Sequence, residues 1–166
     1  MAEGARSAIT LAALAVLLVL GAVWGWSALT DPLPAKVDRP LCVDTTVEAG
    51  TKVYAQDVTV SVYNAGTREG LAGRTMQLLS DDGFAEGSMG NVRARVARVA
   101  IWTLEPENPA VRLVASRLGP DVDIERREGP GVGVAVVVGD GFDKLAKGRR
   151  SIVAAEDATI CSPPVD

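Results

Sequence analysis

The sequence contains no histidine. This absence excludes catalytic Ser-His-Asp and Cys-His arrangements and any general base that uses an imidazole. It also excludes zinc sites with a His ligand, and two cysteines cannot form a closed thiolate site alone. Aromatic residues make up only 4% of the 166 residues. The core must therefore be built mainly from Val, Leu, Ile and Ala.

Charge is missing from one long segment near the N-terminus. Residues 7–30, "SAITLAALAVLLVLGAVWGWSALT", contain no charged side chain, and about 20 apolar residues suffice to cross a bilayer. Trp24 and Trp26 lie near its end, as indoles do at membrane interfaces. A cleaved signal peptide is the alternative, but its apolar stretch is usually shorter. We therefore expect a cytoplasmic tail over residues 1–6 and a transmembrane helix over residues 7–30.

Only two cysteines are present, and no C-x-x-C motif exists. Cys42 and Cys161 lie in polar, proline-containing flanks near the two ends of the remaining chain. We predict a disulfide between them, although two unrelated buried thiols remain the alternative. The bond would close a loop of about 120 residues, and chain entropy values such a constraint at roughly 4–5 kcal/mol. Because disulfides persist outside the cytoplasm, this predicts a single-pass plasma-membrane protein with residues 31–166 outside.

The part after the apolar segment is mildly acidic. Glu3 and Arg6 cancel, so residues 31–166 keep the net charge of −4 of the whole chain. This charge disfavours nucleic acid as a partner.

Periodicity predicts one small α/β domain with a mixed sheet, in the order β-α-β-α-β-β. The prolines of residues 31–55 indicate an extracytoplasmic linker, the domain covers residues 56–147, and residues 148–166 form a C-terminal tail held by the disulfide. "DVTVSVY" alternates as a strand, and the helix that follows ends at Gly83. A second helix has Pro109 in its first turn and Gly119 as its stop. "VDIERRE" is typical of a polar edge strand, and "GVGVAVVVGDGF" of a strand buried on both faces.

The segment "NVRARVARVAIW" changes phase. Apolar residues alternate with Arg93 and Arg95, and the alternation then slips by one residue. Because one residue turns every side chain of a strand to the other face, either a bulge lies near Ala97 or the true strand begins there.

Ordered short motifs resemble the LytR C-terminal domain family. They are "VTVSVYNAGTREGLAGRTMQLLSDDGF", then "NPAVRLVASRLG", then "GVGVAVVVGDGF", over about residues 57–145. Ala65-Gly66 replaces the usual Asn-Gly pair. The resemblance implies a stand-alone, membrane-anchored domain similar to actinobacterial cell envelope integrity proteins. It implies a role in envelope maintenance and carries over no catalytic residues, and the paired cysteines that flank the domain are similar to those proteins too. We expect no cofactor.

The glycine-rich turn after the first strand has two interpretations. Asn64, Gly66, Arg68 and Gly70 lie where the N–H groups of a helix start could bind an anion. However, they form neither G-x-G-x-x-G nor a P-loop. Turn formation and close helix–sheet packing explain the same glycines.

Two further sets of charges have the same ambiguity. Arg93, Arg95 and Arg98 form either a patch for an anionic wall polymer or a solvated strand face. Asp140 and Asp143 offer too few oxygens for calcium, so we expect a turn in which Asp143 caps a short helix.

We therefore expect a non-enzymatic, single-pass cell-envelope protein. Its ectodomain binds wall polymer or an envelope partner and supports envelope integrity. The alternative is an accessory subunit that regulates a polymer-attaching or wall-synthesising enzyme by protein–protein contact. A cryptic hydrolase that uses Asp81, Asp82, Asp140 or Asp143 is a third hypothesis.

Overall fold

The computed structural model describes the backbone of residues 2–30 and 40–164, and the side chains of residues 11–26 and 40–164. The chain divides into two compact units, Met1–Asp38 and Arg39–Asp166. Residues 31–39, the first part of the predicted linker, lie outside the described residues.

The first unit contains helix α1, Ala2–Thr30. Its large apolar side chains between Leu11 and Trp26 are exposed. Among the residues described, no helix has both the length and the apolar character that crossing a membrane requires. The predicted span of residues 7–30 extends at both ends beyond the side chains that are described.

The second unit is a small α/β domain with a mixed five-stranded sheet. The elements of the sheet and its helices are β3 Thr59–Asn64, α2 Leu71–Asp81, β4 Ala85–Asn91, β5 Val99–Thr103, α3 Pro109–Leu118, β6 Asp123–Arg126 and β7 Val134–Val138. The strand order is β4-β3-β7-β5-β6. Strand β3 runs parallel to β4 and β7, β5 runs parallel to β6, and β5 and β7 are antiparallel. Two β-α-β units therefore flank the central strand β7.

Two antiparallel ribbons join the ends of this unit. Strand β1, Val43–Val47, pairs with β9, Ala158–Ser162, and β2, Lys52–Tyr54, pairs with β8, Ser151–Val153. A 3₁₀ turn, Ala55–Asp57, follows β2. The segment predicted as a linker, residues 31–55, therefore contains two strands, β1 and β2. The short strands give too little alternation to be recognised, and each is stabilised by a partner about a hundred residues away.

Each face of the sheet is covered by different parts of the chain. Residues alternate along β7, so Val134, Val136 and Val138 join the main core with α2 and α3. Ala135 and Val137 belong to a smaller cluster on the opposite face with Tyr63, Ala100 and Trp102. This confirms the prediction that the strand is buried on both faces.

The segment before β5 lies against this smaller cluster. Val92, Ala94 and Val96 are half-buried on it, whereas Arg93 and Arg95 are exposed. The alternation was therefore a real two-sided pattern, although the segment is not a strand of the sheet. Strand β5 begins at Val99, just after the phase change.

The predicted helices and the edge strand are confirmed. Asn108 caps α3 by accepting a hydrogen bond from Ala110 N at 3.0 Å, and Pro109 follows it. Gly83 and Gly119, with φ of 96° and 102°, end the two helices in a backbone region that favours glycine. Strand β6 lies at one edge of the sheet. Strand β4, at the other edge, was not predicted because "AEGSMGN" has no apolar alternation.

The predicted disulfide is confirmed. Cys42 and Cys161 are bonded, with Cα atoms 5.4 Å apart and a sequence separation of 119. The bond lies beside the β1–β9 ladder, where Asp44 pairs with Cys161. It therefore fixes the first strand of the domain to the last.

Replacing both cysteines with serine should lower the free energy of unfolding by about 4 kcal/mol, since the unfolded chain regains the entropy of a long open loop. Urea unfolding of oxidised wild type and of the double variant measures this loss. Addition of a thiol reductant should bring the wild type to the stability of the variant and leave the variant unchanged. Equal stability of both proteins under oxidising conditions would contradict the prediction.

Candidate functional site

The glycine-rich turn lies at the end of the sheet where strands β3 and β7 finish. Because these strands are parallel neighbours, Asn64 at the end of β3 lies opposite Val138 at the end of β7. The turn before α2 and the loop after β7 therefore meet. Asp140, two residues beyond β7, is carried directly against the turn.

Asn64 shapes the turn with both ends of its side-chain amide. Its Oδ1 accepts a hydrogen bond from Gly66 N at 2.8 Å, and its Nδ2 donates to Arg68 O at 2.8 Å. Gly70, with φ of 70°, then turns the chain into α2. These contacts explain the polar residue and the second glycine of the motif without any ligand.

The carboxylate of Asp140 occupies the position where the turn would hold an anion. Its Oδ1 accepts hydrogen bonds from the backbone N–H groups of Thr67 at 2.8 Å and Arg68 at 3.0 Å, and its Oδ2 accepts one from Thr67 Oγ1 at 3.0 Å. A side chain at Gly66 would collide with this carboxylate. The turn is thus built around a negative charge, and that charge belongs to the chain itself.

Arg68 closes the same arrangement. Its guanidinium donates to Asp140 O at 3.1 Å and to Phe142 O at 3.0 Å. Its hydrogen bonds are therefore directed to the backbone of the loop after β7. The geometry favours the structural interpretation of the turn, and binding of an external anion there stays a prediction.

The electrostatics follow from these contacts. The backbone N–H of Arg68, together with the hydrogen bonds from Thr67, holds the pKa of Asp140 below its ordinary value of 3.8, although desolvation opposes the shift. A carboxyl with a lowered pKa stays ionised at neutral pH and is a poor proton donor. Asp140 is therefore a structural acceptor rather than a general acid.

The three arginines of the predicted patch do not share one environment. Arg98 is half-buried; it donates to Leu118 O at 3.1 Å, and its guanidinium lies 5.6 Å from the ring centre of Phe142. Arg93 and Arg95 alone keep the exposed position expected of a binding patch. The sequence contained a signal for this difference, because Arg93 and Arg95 precede the phase change near Ala97 and Arg98 follows it.

The remaining acidic candidates also have local roles or none. Asp82 forms a two-point ion pair with Arg117, with contacts of 2.5 and 2.6 Å, and Asp81 accepts a hydrogen bond from Gln77. Asp143 is exposed and caps no helix, so that prediction is wrong. Within the described ranges, no group of three His, Cys, Asp or Glu side chains could hold a metal ion.

Sequence reasoning missed the partnership between Asp140 and Thr67. The signal was the two parallel strands, "TVSVYN" and "VAVVV", each followed by a polar loop. The carboxyl ends of parallel neighbours lie at one edge of a sheet, so their loops contact each other.

Comparison with family models matches residues 57–142 to the LytR C-terminal family, LytR_C, described as "LytR cell envelope-related transcriptional attenuator". The chain belongs to this family. The LytR_C match includes the turn, Asp140 and the whole five-stranded sheet, and it leaves out both ribbons. The domain is thus of a cell-envelope-associated type. No curated protein matches the chain.

Two solved structures are similar to it. The soluble domain of a conserved hypothetical secreted protein from Mycobacterium marinum, an Rv2700 ortholog, is 22% identical over 61% of this chain and 68% of that one, with a TM-score of 0.46. The C-terminal domain of RV0431 is 26% identical over 66% of this chain and 88% of that one, with a TM-score of 0.34. Both scores are below 0.5, so the assignment rests on the family model.

Replacing Asp140 with Asn should lower the melting temperature at neutral pH, because a neutral amide accepts weaker hydrogen bonds than a carboxylate. A lowered pKa means that the stabilisation by Asp140 is present above pH 3.8 and is lost as the pH falls through the folded-state pKa. The difference from wild type should therefore shrink in acid. Thermal unfolding from pH 7 to pH 2 measures both effects.

Asp143→Asn is the matched control, since this exposed carboxyl lies three residues away and should change stability little. A second variant, Asp140→Ala, frees the N–H groups of the turn, so added sulfate should stabilise it more than wild type. If the stability difference for Asp140→Asn were the same at every pH, the carboxylate charge would not be what the turn requires.

Proposed function

We propose that this protein is a non-enzymatic, membrane-anchored component of the cell envelope, whose folded domain binds an anionic wall polymer through Arg93 and Arg95. The observation that carries the proposal is the extended segment of residues 92–96. Its apolar side chains lie on the smaller core cluster, and its two arginines are exposed on the outer side.

The spacing of these arginines suits a linear polyanion. Alternate residues of an extended chain lie on one side and are about 6.6 Å apart. A guanidinium presents a planar fork of donors that matches phosphate and carboxylate oxygens. Because the intervening residues are fixed on the sheet, two such forks are presented side by side on a rigid support.

The net charge of −4 makes this attraction local. The whole domain does not draw in an anionic polymer, so binding must depend on the arginine face itself. We expect such binding to be weak and salt-sensitive. Dissolved salt screens the attraction between exposed charges, over a length of about 10 Å at an ionic strength of about 0.1 M.

A non-enzymatic role is supported by the carboxylates. Asp81, Asp82 and Asp140 are each engaged in hydrogen bonds or ion pairs within the chain. General acid–base chemistry needs a group that gains and loses a proton near the working pH. The pKa of Asp140 is lowered, whereas a general acid that works near neutral pH needs a raised pKa.

Membrane anchoring by α1 is the second part of the proposal. It is supported by the uncharged run of residues 7–30 and by the exposed leucines and valines between Leu11 and Val23. An apolar helix of this kind gains free energy when lipid replaces water around it. The disulfide supports an extracytoplasmic location for the folded domain.

Anchoring can be tested on the full chain in bacterial membranes. We expect the protein to stay in the membrane pellet after alkaline carbonate extraction, and a variant with Leu14, Leu17 and Leu18 changed to Glu to be released. Glu156 is exposed. A membrane-impermeant thiol reagent added to intact cells should therefore label a Cys introduced at this position. Full extraction of the wild type by carbonate would contradict the anchor.

The arginine face can be tested by co-sedimentation of the detergent-solubilised chain with protein-free cell wall. Arg93→Gln with Arg95→Gln should weaken binding roughly tenfold, since two charge-assisted hydrogen-bonding groups are lost. Binding of wild type should also fall as salt rises.

Arg74→Gln with Arg112→Gln is the matched control, because both arginines are exposed on the helices that cover the other face. The control changes the net charge equally and should keep wild-type binding. If both double variants bound alike, the arginine face would not be the site.

A further inference from the structure

The chain is strongly basic just after the residues that match the family model. Residues 144–150, "KLAKGRR", contain four cationic side chains and no acidic one, although the whole chain has a net charge of −4. We call this stretch the basic segment. Protein surfaces usually mix charges of both signs, so an unbroken run of one sign needs an explanation. The cationic residues are Lys144, Lys147, Arg149 and Arg150, and all four side chains are exposed.

The cations of the basic segment have no partner inside the domain. None of their side chains forms an ion pair or a hydrogen bond with a residue that the structure describes. The described ion pairs of the domain join other residues, Arg117 to Asp82 and Arg127 to Glu125. Clustered charges of one sign repel each other. No contact within the described domain offsets this repulsion, so the cations are available to an external anion.

The backbone of the basic segment is fixed on the last turn of α3. Ala146 N donates a hydrogen bond to Arg117 O at 2.7 Å. Arg149 N donates one to Ser116 Oγ at 3.1 Å. Gly148 lies so close to Ser116 O that a side chain at this position would collide with it. The four cations are therefore held on a defined backbone, which reduces the entropy lost when a ligand binds.

The carbonyl groups at the end of α3 do not account for the cations. Basic side chains near the C-terminus of a helix can stabilise it by donating to its last carbonyl groups. Here, however, Arg117 O accepts its hydrogen bond from the backbone N–H of Ala146. Leu118 O accepts one from Arg98 Nη1 at 3.1 Å. These carbonyl groups are thus bonded without any cationic side chain of the basic segment.

The basic segment and the arginine face lie at the same end of the sheet. Gly141 N donates to Ala97 O at 3.0 Å, so the loop after β7 contacts the segment that carries the two arginines. Lys144 follows Gly141 by three residues, and Arg95 precedes Ala97 by two. An extended chain spans at most about 3.6 Å per residue, so the Cα atoms of Lys144 and Arg95 lie within roughly 25 Å of each other. One linear polymer can therefore contact both surfaces.

The apolar residues of the basic segment face the protein. Leu145 is half-buried and packs against the main core, and Phe142, just before the segment, is buried. All of residues 144–150 are described, and none of their apolar side chains is exposed. Surfaces that enter lipid place Trp, Phe or Leu beside their cations. The composition therefore favours a water-soluble polyanion over a lipid surface.

We propose that residues 144–150 form a second contact surface for a linear polyanion, which extends from the arginine face around the end of the sheet. The lysines supply point charges, and the arginines supply planar forks of donors that match phosphate or carboxylate oxygens. The inference rests on the proposed function in that the ligand is the same anionic polymer. It adds residues that lie outside that site and outside the family match.

The test measures the binding of fluorescently labelled poly(glycerol phosphate) to the full chain in a neutral detergent, by fluorescence anisotropy, with labelled dextran as the uncharged comparison. The variant combines Lys144→Gln, Lys147→Gln, Arg149→Gln and Arg150→Gln. It should bind the polyanion roughly thirtyfold more weakly, because each exposed ionic contact contributes about two- to threefold. The slope of log affinity against log salt concentration should become shallower by about three, because fewer counterions are released.

The matched control removes the same amount of charge elsewhere. It combines Lys52→Gln, Arg74→Gln, Arg112→Gln and Arg126→Gln, at exposed positions on β2, α2, α3 and β6. This control should keep the affinity and the salt slope of the wild type. Equal weakening in both fourfold variants would show that only net charge matters and would overturn the proposal. Wild-type affinity in the variant of the basic segment would overturn it as well.

Arg93→Gln with Arg95→Gln in the same assay separates the two surfaces. If only this double variant weakens binding, the arginine face stands and the further inference fails. If only the variant of the basic segment weakens binding, the arginine face fails and the basic segment stands.

The membrane alternative is tested with the full chain in neutral and in anionic lipid vesicles. A membrane-impermeant amine reagent should label Lys144 and Lys147 to the same extent in both. Protection of these lysines in anionic vesicles alone would assign the basic segment to lipid and overturn the proposal.

Discussion

Burial of strand β7 on both faces is the constraint on which the rest of the domain depends. All five residues from Val134 to Val138 are buried. A strand of this kind must lie inside the sheet, and both sides of that sheet must be covered. The amphipathic helices α2 and α3 cover one side. The other side has no helix among the described residues, and the extended segment of residues 92–96 takes that place.

This solution determines where the arginines lie. A segment that lies flat on a sheet must place alternate residues inward, so residues between them point to solvent. Arg93 and Arg95 are exposed for the same reason that Val92, Ala94 and Val96 are half-buried against the sheet. The candidate polymer face is thus a direct consequence of how the second side of β7 is covered.

The parallel pairing of β3 and β7 has an equally direct consequence at the end of the sheet. Glycine-rich turns before helices attract anions because their N–H groups are free. In this chain the loop after the neighbouring strand β7 supplies Asp140, and its carboxylate accepts hydrogen bonds from those N–H groups. A motif that is often associated with phosphate binding therefore joins two loops here. The distinction is set by the residue that follows β7, not by the turn itself.

Much of the central sheet and both of its helices could be predicted from the sequence. The helices are long enough for a 3.6-residue period, and Asn108, Gly83 and Gly119 mark their ends. The buried strand is an unbroken apolar run. By contrast, β1, β2, β8 and β9 have three to five residues each, which is too short for a period to be read. Their stability comes from partners distant in sequence, so no local pattern reports them.

The same limit applied to the candidate site. Gly66 and Arg68 drew attention to the turn because their residue types are informative alone. Asp140 and Thr67 form a contact that depends on strand order, and strand order is not written in any local window.

The family match and the two ribbons divide the molecule in an informative way. The matched residues, 57–142, contain the central sheet, the turn and the arginine face. Both ribbons lie outside the match, yet Val47, Ile152 and Ile160 of the ribbons belong to the main buried core. The ribbons therefore complete the side of the sheet that α2 and α3 cover, which is the side opposite the arginine face. Because the disulfide joins the start of β1 to β9, it fixes a part of the core that the family match does not include.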